Sequence, residues 1–476
     1  MSLAGFAALS SVSTKLGGKP GLLLLGILGV ALIGLAIIAI RAVRPSLLAT
    51  IAIVLTVFSG NWKYMHIPFG LDDVMMAIAV AAAAYRAVSS RYPERFVLRP
   101  IHLVLALMIL YTVVSAVWSG TLTNKSDLFN ILTSLGVAPY ALFAFAPVIF
   151  ATPRDREILL CGLFILGVYL GIGALGETLH IHALVKPSYI LNPSIGIHND
   201  RVRGPFLEAS PEGFALFATG FAVAWVGMRT HRPLLRIFSA VIVLFCLIGT
   251  FGTVTRAVWI GCAASVLLAM VLNRRLRRYT IPGILGIAAV ILVALVLVPG
   301  LSTLASSRAG DKRPVWDRLN SDTAALRLFE AEPLLGSGWG TFGTASIPYY
   351  READTYPLTY VGVVHNVYLS QFAELGVLGG GLWLISFLLA ISDAVRGPRT
   401  GDLEIWRIFT FVALLNWAIN AAFVPLVYVM PNALIWVLLG ISALPDTVPA
   451  VAFPAAVAVP VPRPAPMRLP EPVPVS

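Results

Sequence analysis

Residues 365–393 read HNVYLSQFAELGVLGGGLWLISFLLAISD and place one histidine directly before a long apolar run. From Val367 to Asp393 the run is long enough to cross a bilayer as a helix, which takes about 20 apolar residues. The segment before it, 300–364, is polar by comparison and contains several turn-forming glycines and prolines. A long polar loop in a compact membrane protein usually carries function. The stretch therefore predicts a membrane helix that begins beneath a functional loop.

The rest of the chain repeats the pattern of apolar runs separated by short polar segments. Apolar residues form 58% of the 476 residues and charged residues only 12%. A water-soluble fold of this size would expose large apolar patches with such a composition. Windows of about 17 to 25 apolar residues predict thirteen spans. They lie at 21–40, 46–60, 71–88, 101–118, 129–150, 157–176, 211–228, 236–253, 257–273, 281–299, 367–393, 405–421 and 424–443. The expected fold is an all-α polytopic membrane protein with about 12–13 transmembrane helices.

These runs divide the chain into five segments. We expect an N-terminal extension with one additional transmembrane segment, a transmembrane helical bundle, a large outer loop, a set of C-terminal transmembrane helices and a disordered tail. In that order they are 1–45, 46–299, 300–364, 365–444 and 445–476. The tail is rich in proline, which prevents helix formation, and no activity is assigned to it.

The net charge of +11 comes from basic residues in short clusters between the predicted spans. These clusters fall in alternate loops, as the positive-inside rule expects of cytoplasmic connections, so they favour a membrane topology signal over nucleic-acid binding. The segment 300–364 carries six Lys and Arg against seven Asp and Glu. It lacks the cytoplasmic excess and is expected on the outer side. The same alternation places the N-terminus outside.

No metal, disulfide or cofactor is predicted. Cys161, Cys246 and Cys262 lie within predicted spans, where a thiol is usually a small apolar packing residue. The adjacent carboxylates Asp72 and Asp73 could hold a metal at an outer span end. They also open a predicted helix, where acidic residues are favourable, and that explanation is preferred.

Ionisable residues concentrate instead at the predicted outer ends of spans. Arg201 and Arg203 precede the seventh span, Arg256 opens the ninth, and Arg318 and His365 belong to the long loop. Arginine forks match phosphate oxygens bidentately and stay charged at any working pH. A set of arginines with one histidine at one membrane face is therefore suited to a lipid-linked anionic substrate.

Each of these residues also has an ordinary explanation. Arg256 could extend its charge to lipid headgroups, Arg318 could pair with a neighbouring aspartate, and His365 could cap the span that follows it. The two arginines of the earlier loop could be interface anchors. Only their joint occurrence on one side favours the functional interpretation.

Four segments resemble the O-antigen ligase and Wzy-type polymerase superfamily of bacterial cell-surface polysaccharide assembly. They are TRAVW at 255–259, Arg318 followed fifteen residues later by PLLGSGWGTF at 333–342, HNVYL at 365–369 running into ELG at 374–376, and RGPF at 203–206. Together they cover about residues 200–380. The chain departs from the family at 321–323, where SDT stands near a position that is often aromatic.

The resemblance implies about twelve helices with a large periplasmic loop, a glycosyltransferase C-like architecture and a place in the bacterial inner membrane. It implies metal-independent transfer, with inversion, of an undecaprenyl-diphosphate-linked glycan. The acceptor would be lipid A core in a ligase or a second lipid-linked glycan in a polymerase. The implied catalytic residues are His365, Arg256 and Arg318, and the implied diphosphate- or glycan-binding residues are Arg203, Arg201, Asn366 and Tyr368.

Two alternatives remain open from the sequence. A protein O-oligosaccharyltransferase would use the same donor and differ only in its acceptor. A non-catalytic polysaccharide exporter or flippase would use the outer arginines as a binding surface. It would also need a polar path through the bilayer, and the predicted span centres hold almost no charged residue.

Overall fold

The computed structural model describes residues 34–89, 96–197, 199–273, 277–297, 313–350, 362–397 and 401–444. Within these ranges the regular secondary structure is helical and there is no strand, which confirms the all-α class. The predicted tail and most of the predicted N-terminal extension lie outside the ranges. The first eight helices are α1 Gly34–Ala42, α2 Pro45–Leu55, α3 Leu71–Val88, α4 Pro100–Trp118, α5 Lys125–Phe129, α6 Val137–Ile149, α7 Pro153–Thr178 and α8 Ala209–Arg229. The others are α9 Pro233–Gly252, α10 Arg256–Leu272, α11 Thr280–Leu297, α12 Arg313–Ala331, α13 Phe342–Ala345, α14 Val367–Arg396, α15 Leu403–Ala421 and α16 Val429–Ser442.

Six helical segments of the described chain are long and apolar enough to cross a membrane. They are Pro100–Trp118, Lys125–Ile149, Pro153–Thr178, Ala209–Arg229, Pro233–Gly252 and Val367–Arg396. The pair Gly34–Ala42 and Pro45–Phe58 would add a seventh if it were one span, but it is bent by 119°. Several other predicted spans are helices too short for this requirement, such as α10 with 17 residues and α16 with 14. The polytopic membrane fold is thus confirmed, and the count of thirteen spans stays a prediction.

The core of the bundle surrounds α16. Every residue of this helix is buried, as expected of a helix that is apolar on all sides. The ring of Trp436 lies 4.6 Å from that of Phe387 on α14 and 4.9 Å from that of Tyr140 on α6. Asn432 anchors the start of the helix, because its Nδ2 donates to the carbonyl of Leu426 at 2.8 Å. The helix α16 therefore fixes the positions of the helices around it.

Ion pairs hold the end of the bundle that lies away from His365, and two of them involve α7 and α14. Arg156 at the start of α7 binds Asp402, just before α15, through two hydrogen bonds of 2.8 and 3.0 Å. Arg99 before α4 binds Asp393 near the end of α14 at 3.0 Å. A bidentate arginine and carboxylate pair has a fixed geometry. These contacts set the axial positions of the helices that carry the residues discussed next.

Candidate functional site

The three predicted catalytic residues lie on three separate elements. Arg256 is the first residue of α10, Arg318 lies within α12, and His365 lies two residues before α14. The tight turn before Arg256 includes Val254 with a φ of 46°, a left-handed conformation that is uncommon for a β-branched residue. The turn lets α10 begin immediately after α9 ends. Arg256 is therefore placed at the end of the helix pair, with its side chain exposed.

The charges of these residues act on one another. Burial lowers the pKa of Arg318, and the charge of Arg256 lowers it further against the opposing effect of Asp322 and Asp317. Burial also lowers the pKa of His365 below its ordinary 6.5, and the charge of Arg318 lowers it further. Arg318 thus lies close enough to both other residues for electrostatic coupling. We call the three residues, Arg256, Arg318 and His365, the cationic centre.

The imidazole of His365 is in a state suited to accept a proton. Its lowered pKa keeps the ring neutral near pH 7, and the ring makes a hydrogen bond to the backbone of Val363. A bond to a carbonyl uses the N–H of the neutral ring, which leaves the lone pair on the other nitrogen. Nδ1 is buried and has no hydrogen-bond partner within the described ranges. Nδ1 is accordingly the candidate proton acceptor.

Arg318 has a similar unsatisfied atom. Its Nε is buried and has no hydrogen-bond partner among the residues that the structure describes. Leaving a buried donor unpaired costs about 1–3 kcal/mol. An anionic oxygen bound at this position would recover that energy. The geometry is therefore suited to an anionic ligand.

Asp322 is an acidic neighbour of Arg318 on α12. It lies one helical turn after Arg318, and an i, i+4 spacing puts the two side chains on one face of α12. Burial raises the pKa of Asp322 to about 6, although the charge of Arg318 opposes the shift. Asp322 is part of the segment in which the chain departs from the family pattern, and it adds a carboxyl group beside the cationic centre.

The glycine-rich segment Pro333–Phe342 attaches α12 to α14, and we call it the docking turn. The backbone N–H of Gly338 donates to the Glu374 carbonyl at 2.9 Å, and the N–H of Val377 donates to the Pro333 carbonyl at 2.8 Å. These bonds are available because α14 is interrupted at Gly376, which has a φ of 62°. A non-glycine residue there would be strained, and its Cβ would collide with the backbone of Leu334.

The carboxylate of Glu374 completes this attachment. Oε2 accepts the backbone N–H of Gly340 at 3.0 Å, and Oε1 accepts that of Phe342 at 3.0 Å. The side chain is buried. Because α12 leads directly into the docking turn, these bonds fix the position of Arg318 relative to His365. Glu374 belongs to the motif ELG at 374–376, but its partners are not evident from the sequence.

Arg201 lies beside the start of α10. Its Nη1 donates to Oγ1 of Thr255 at 3.4 Å, and Thr255 is the residue before Arg256. Its charge also acts on Glu208, whose pKa burial nonetheless raises to about 7. The structure therefore brings Arg201 to the edge of the cationic centre.

Arg203 has a different environment. It is 2% exposed, and its guanidinium donates to the carbonyls of Ile195, Ile190 and Asn192 at 2.7, 2.8 and 2.7 Å. These bonds hold the loop before α8. The geometry favours this anchoring role over the predicted binding of diphosphate, because the bonds direct the guanidinium to the loop backbone.

The two other predicted binding residues also make structural contacts. Asn366 is the N-cap of α14, and its Oδ1 accepts the backbone N–H of Leu369 at 3.2 Å. The hydroxyl of Tyr368 donates to the carbonyl of Ala418 on α15 at 3.1 Å, and its ring packs edge-on against Trp383. Both residues hold the start of α14 in place.

Asp72, the first of the two adjacent carboxylates, accepts a hydrogen bond from the indole of Trp62 at 2.6 Å and is fully buried. Asp72 and Asp73 lie in the first turn of α3, as the helix explanation expects. In the part of the chain that is described, no three His, Cys, Asp or Glu side chains are grouped as metal ligands.

An apolar groove lies along the bundle, and none of the three residues of the cationic centre is part of its lining. Its volume is about 400 Å³, and its lining comes from α10, α14 and α15. Tyr368, three residues after His365, is one wall, and Leu272 and Ile391 lie near the other ends of their helices. The groove thus extends from Tyr368, near the start of α14, along the apolar surface of the bundle towards its other end.

Comparison with known families agrees with the resemblance seen in the sequence. Residues 240–384 match the Wzy_C family, described as O-Antigen ligase. The matched range contains all three residues of the cationic centre, the docking turn and Glu374, whereas Arg201 and Arg203 precede it. A comparison with curated proteins gave no match. Residues 240–384 of this polytopic membrane protein are therefore similar to the O-Antigen ligase family.

Proposed function

We propose that the protein is a glycosyltransferase that moves or polymerises an undecaprenyl-diphosphate-linked glycan at the periplasmic face of the bacterial inner membrane. The observation that carries the proposal is the cationic centre, in which a neutral histidine lies beside two arginines at one end of a membrane bundle. The match to a family of membrane glycan ligases and polymerases supports the same reaction class.

In the proposed reaction an acceptor hydroxyl attacks the anomeric carbon of the donor sugar. A new carbon–oxygen bond forms while the bond between that carbon and the diphosphate oxygen breaks. The electron pair leaves with undecaprenyl diphosphate, and the configuration at the anomeric carbon inverts. His365 takes the proton of the hydroxyl as general base, for which its lowered pKa is suited.

Charge compensation falls to Arg256 and Arg318 in this proposal. Negative charge grows on the diphosphate as the bond breaks, and fixed positive groups placed in advance stabilise it without reorganisation. The unsatisfied Nε of Arg318 supports this role. Arg201, at the edge of the centre, is a further candidate for the diphosphate. The two or three guanidinium groups supply the positive charge, so the proposed mechanism is metal-independent.

The apolar groove can serve as the binding site for the lipid part of the donor. A polyprenyl chain needs an apolar surface that runs from the diphosphate into the bilayer. The groove starts at Tyr368, close to the proposed base, and is lined by aromatic and aliphatic side chains. We therefore assign the groove to the undecaprenyl chain.

The test uses the full-length protein in proteoliposomes with glycolipid from cells that lack it, with and without lipid A core. His365→Ala and Arg256→Ala should fold and lose transfer, by about 10²–10⁴-fold for the general base. Arg256→Lys should also be impaired, because a point charge does not reproduce the guanidinium fork. His231→Ala is the matched control, since His231 is exposed in the loop between α8 and α9.

The products distinguish the candidate functions. A ladder of glycan products of increasing length, formed without lipid A core, would identify a polymerase. A glycan product that forms only when lipid A core is present would identify a ligase. A well-expressed His365→Ala protein that forms product at the wild-type rate would refute the assigned mechanism. Wild-type protein that forms no product with either acceptor, but moves the glycolipid between leaflets, would favour the flippase.

A further inference from the structure

A polar cavity lies beside Arg201 and the turn that precedes α10. Its volume is about 220 Å³, and its walls come from the end of α7, the loop that follows and the end of α9. The residues with polar side chains that line it are Glu177, Thr178, His180, His182, Asn199, Asp200, Arg201 and Arg203. Apolar walls are supplied by residues such as Ile190, Pro193 and Val254. None of the residues assigned to the transfer step lines this cavity, apart from Arg201.

We propose that this cavity is a saccharide subsite that holds one pyranose ring of a substrate next to the point of transfer. The inference rests on the proposed function and adds to it the position at which a sugar is recognised. We call the space the sugar cavity. Three features support the assignment, namely its chemistry, its rigidity and its position.

The lining has the chemistry that a sugar needs. Hydroxyl groups both donate and accept hydrogen bonds, and the cavity offers carboxylates that accept, an arginine that donates, and an amide and two imidazoles that can do either. The apolar walls can pack against the C–H face of a ring. The volume is below the usual range of about 300–1,000 Å³ for drug-sized ligands, so it is suited to a single monosaccharide.

The walls are held in place before any ligand arrives. The three hydrogen bonds of Arg203 fix the segment that contains Ile190. The carboxylate of Glu177 accepts the backbone N–H groups of Arg203 and Gly204 at 3.2 and 3.1 Å. The N–H of Val202 donates to the Gly252 carbonyl at 3.0 Å, which joins the loop to α9. A preorganised site loses little entropy on binding.

The position links the sugar cavity to the cationic centre. Arg201 lines the cavity and also donates to Thr255, the residue before Arg256. Val254, in the same tight turn, is part of the wall. A sugar in the cavity would therefore lie next to a diphosphate held at Arg256. The ring could be the first sugar of the donor or the terminal sugar of the acceptor, which present the same chemistry.

The experiment measures initial rates of the full-length protein in proteoliposomes while donor and acceptor are varied in turn. His182→Ala and Asn199→Ala remove exposed polar groups of the lining, and His231→Ala is the matched histidine control. Loss of a substrate hydrogen bond that persists through the reaction acts on KM rather than kcat. We expect KM for one substrate to rise about tenfold in each lining variant.

The substrate whose KM rises identifies the source of the sugar. A rise for the glycolipid donor assigns the cavity to the donor sugar, and a rise for the acceptor assigns it to the acceptor sugar. Wild-type KM values for both substrates in both lining variants would overturn the proposal.

A second measurement separates failure of this inference from failure of the proposed function. Saturation-transfer NMR with methyl glycosides of glucose, galactose, rhamnose and N-acetylglucosamine reports binding without transfer. For at least one glycoside the signal should persist in His365→Ala and fall in His182→Ala. A signal equal in wild type and His182→Ala for every glycoside would overturn the sugar cavity. Loss of transfer without loss of glycoside binding would contradict the proposed function and leave the sugar cavity supported.

Discussion

Replacement of Glu374 by glutamine tests whether the docking turn depends on one buried carboxylate. The two oxygens of Glu374 accept backbone N–H groups of Gly340 and Phe342, each at 3.0 Å. A glutamine has one oxygen, so one N–H would face the amide NH₂ and stay unpaired. A buried donor without a partner costs about 1–3 kcal/mol.

A cost of about 2 kcal/mol corresponds to about a 30-fold rise in the undocked population, because each 1.4 kcal/mol is a factor of ten. Hydrogen–deuterium exchange in nanodiscs measures this directly, since local opening sets the exchange rate of protected amides. Peptides that cover the docking turn, 333–342, should exchange about 30-fold faster in Glu374→Gln. Transfer activity should fall less, because the docked state remains the major one.

Glu404→Gln is the control, since Glu404 is exposed in the first turn of α15. It should leave exchange in the docking turn at the wild-type rate. A folded Glu374→Gln protein whose docking turn also exchanges at the wild-type rate would show that the carboxylate does not hold the turn.

Three further predictions concern the site. Because burial and the charge of Arg318 lower the pKa of His365, the neutral imidazole persists to lower pH, and the acid limb of the pH–rate profile should lie below pH 6.5. In the residual activity of Arg318→Gln that acid limb should move to higher pH. An acid limb at the wild-type pH in this variant would contradict the coupling between Arg318 and His365. Arg203→Lys should lower the free energy of unfolding by about 2 kcal/mol, since an ammonium cannot satisfy three carbonyls in the fork geometry, and thermal denaturation in detergent measures the loss. Tyr368→Phe loses one hydrogen bond worth about 1 kcal/mol and should keep its transfer rate; loss of transfer from a stable variant would restore its predicted binding role.

The helices themselves could be predicted closely from the sequence. The predicted spans 101–118, 211–228 and 405–421 differ by at most two residues at either end from α4, α8 and α15. The length of an apolar run is enough to predict these helices, because a helix that crosses a membrane forms all its backbone hydrogen bonds within itself. The grouping of Arg256, Arg318 and His365 was also predictable, since all three lie in segments that the charge pattern assigns to the same predicted side.

The roles of Arg203, Asn366 and Tyr368 were not predictable in the same way. Their partners are backbone carbonyls or N–H groups whose positions depend on how a loop or helix end folds. An arginine that faces phosphate and one that faces carbonyls have the same appearance in a sequence. The glycines of the docking turn are evident in the sequence. The interruption of α14 at Gly376, which supplies their hydrogen-bond partners, is evident only in the packed structure.

The docking turn also determines how the sequence of this region can vary. Most of its hydrogen bonds with α14 use its own backbone atoms, so they depend little on which side chains stand between the glycines. Leu334 and Leu335 are 67% and 55% exposed, and a saturation library should accept most residues at both positions. Gly336 and Gly376 adopt positive φ and meet backbone at the position of a Cβ. The position of Arg318 relative to His365 therefore depends on a few glycines and one carboxylate. The exposed residues around them can be replaced without changing that position.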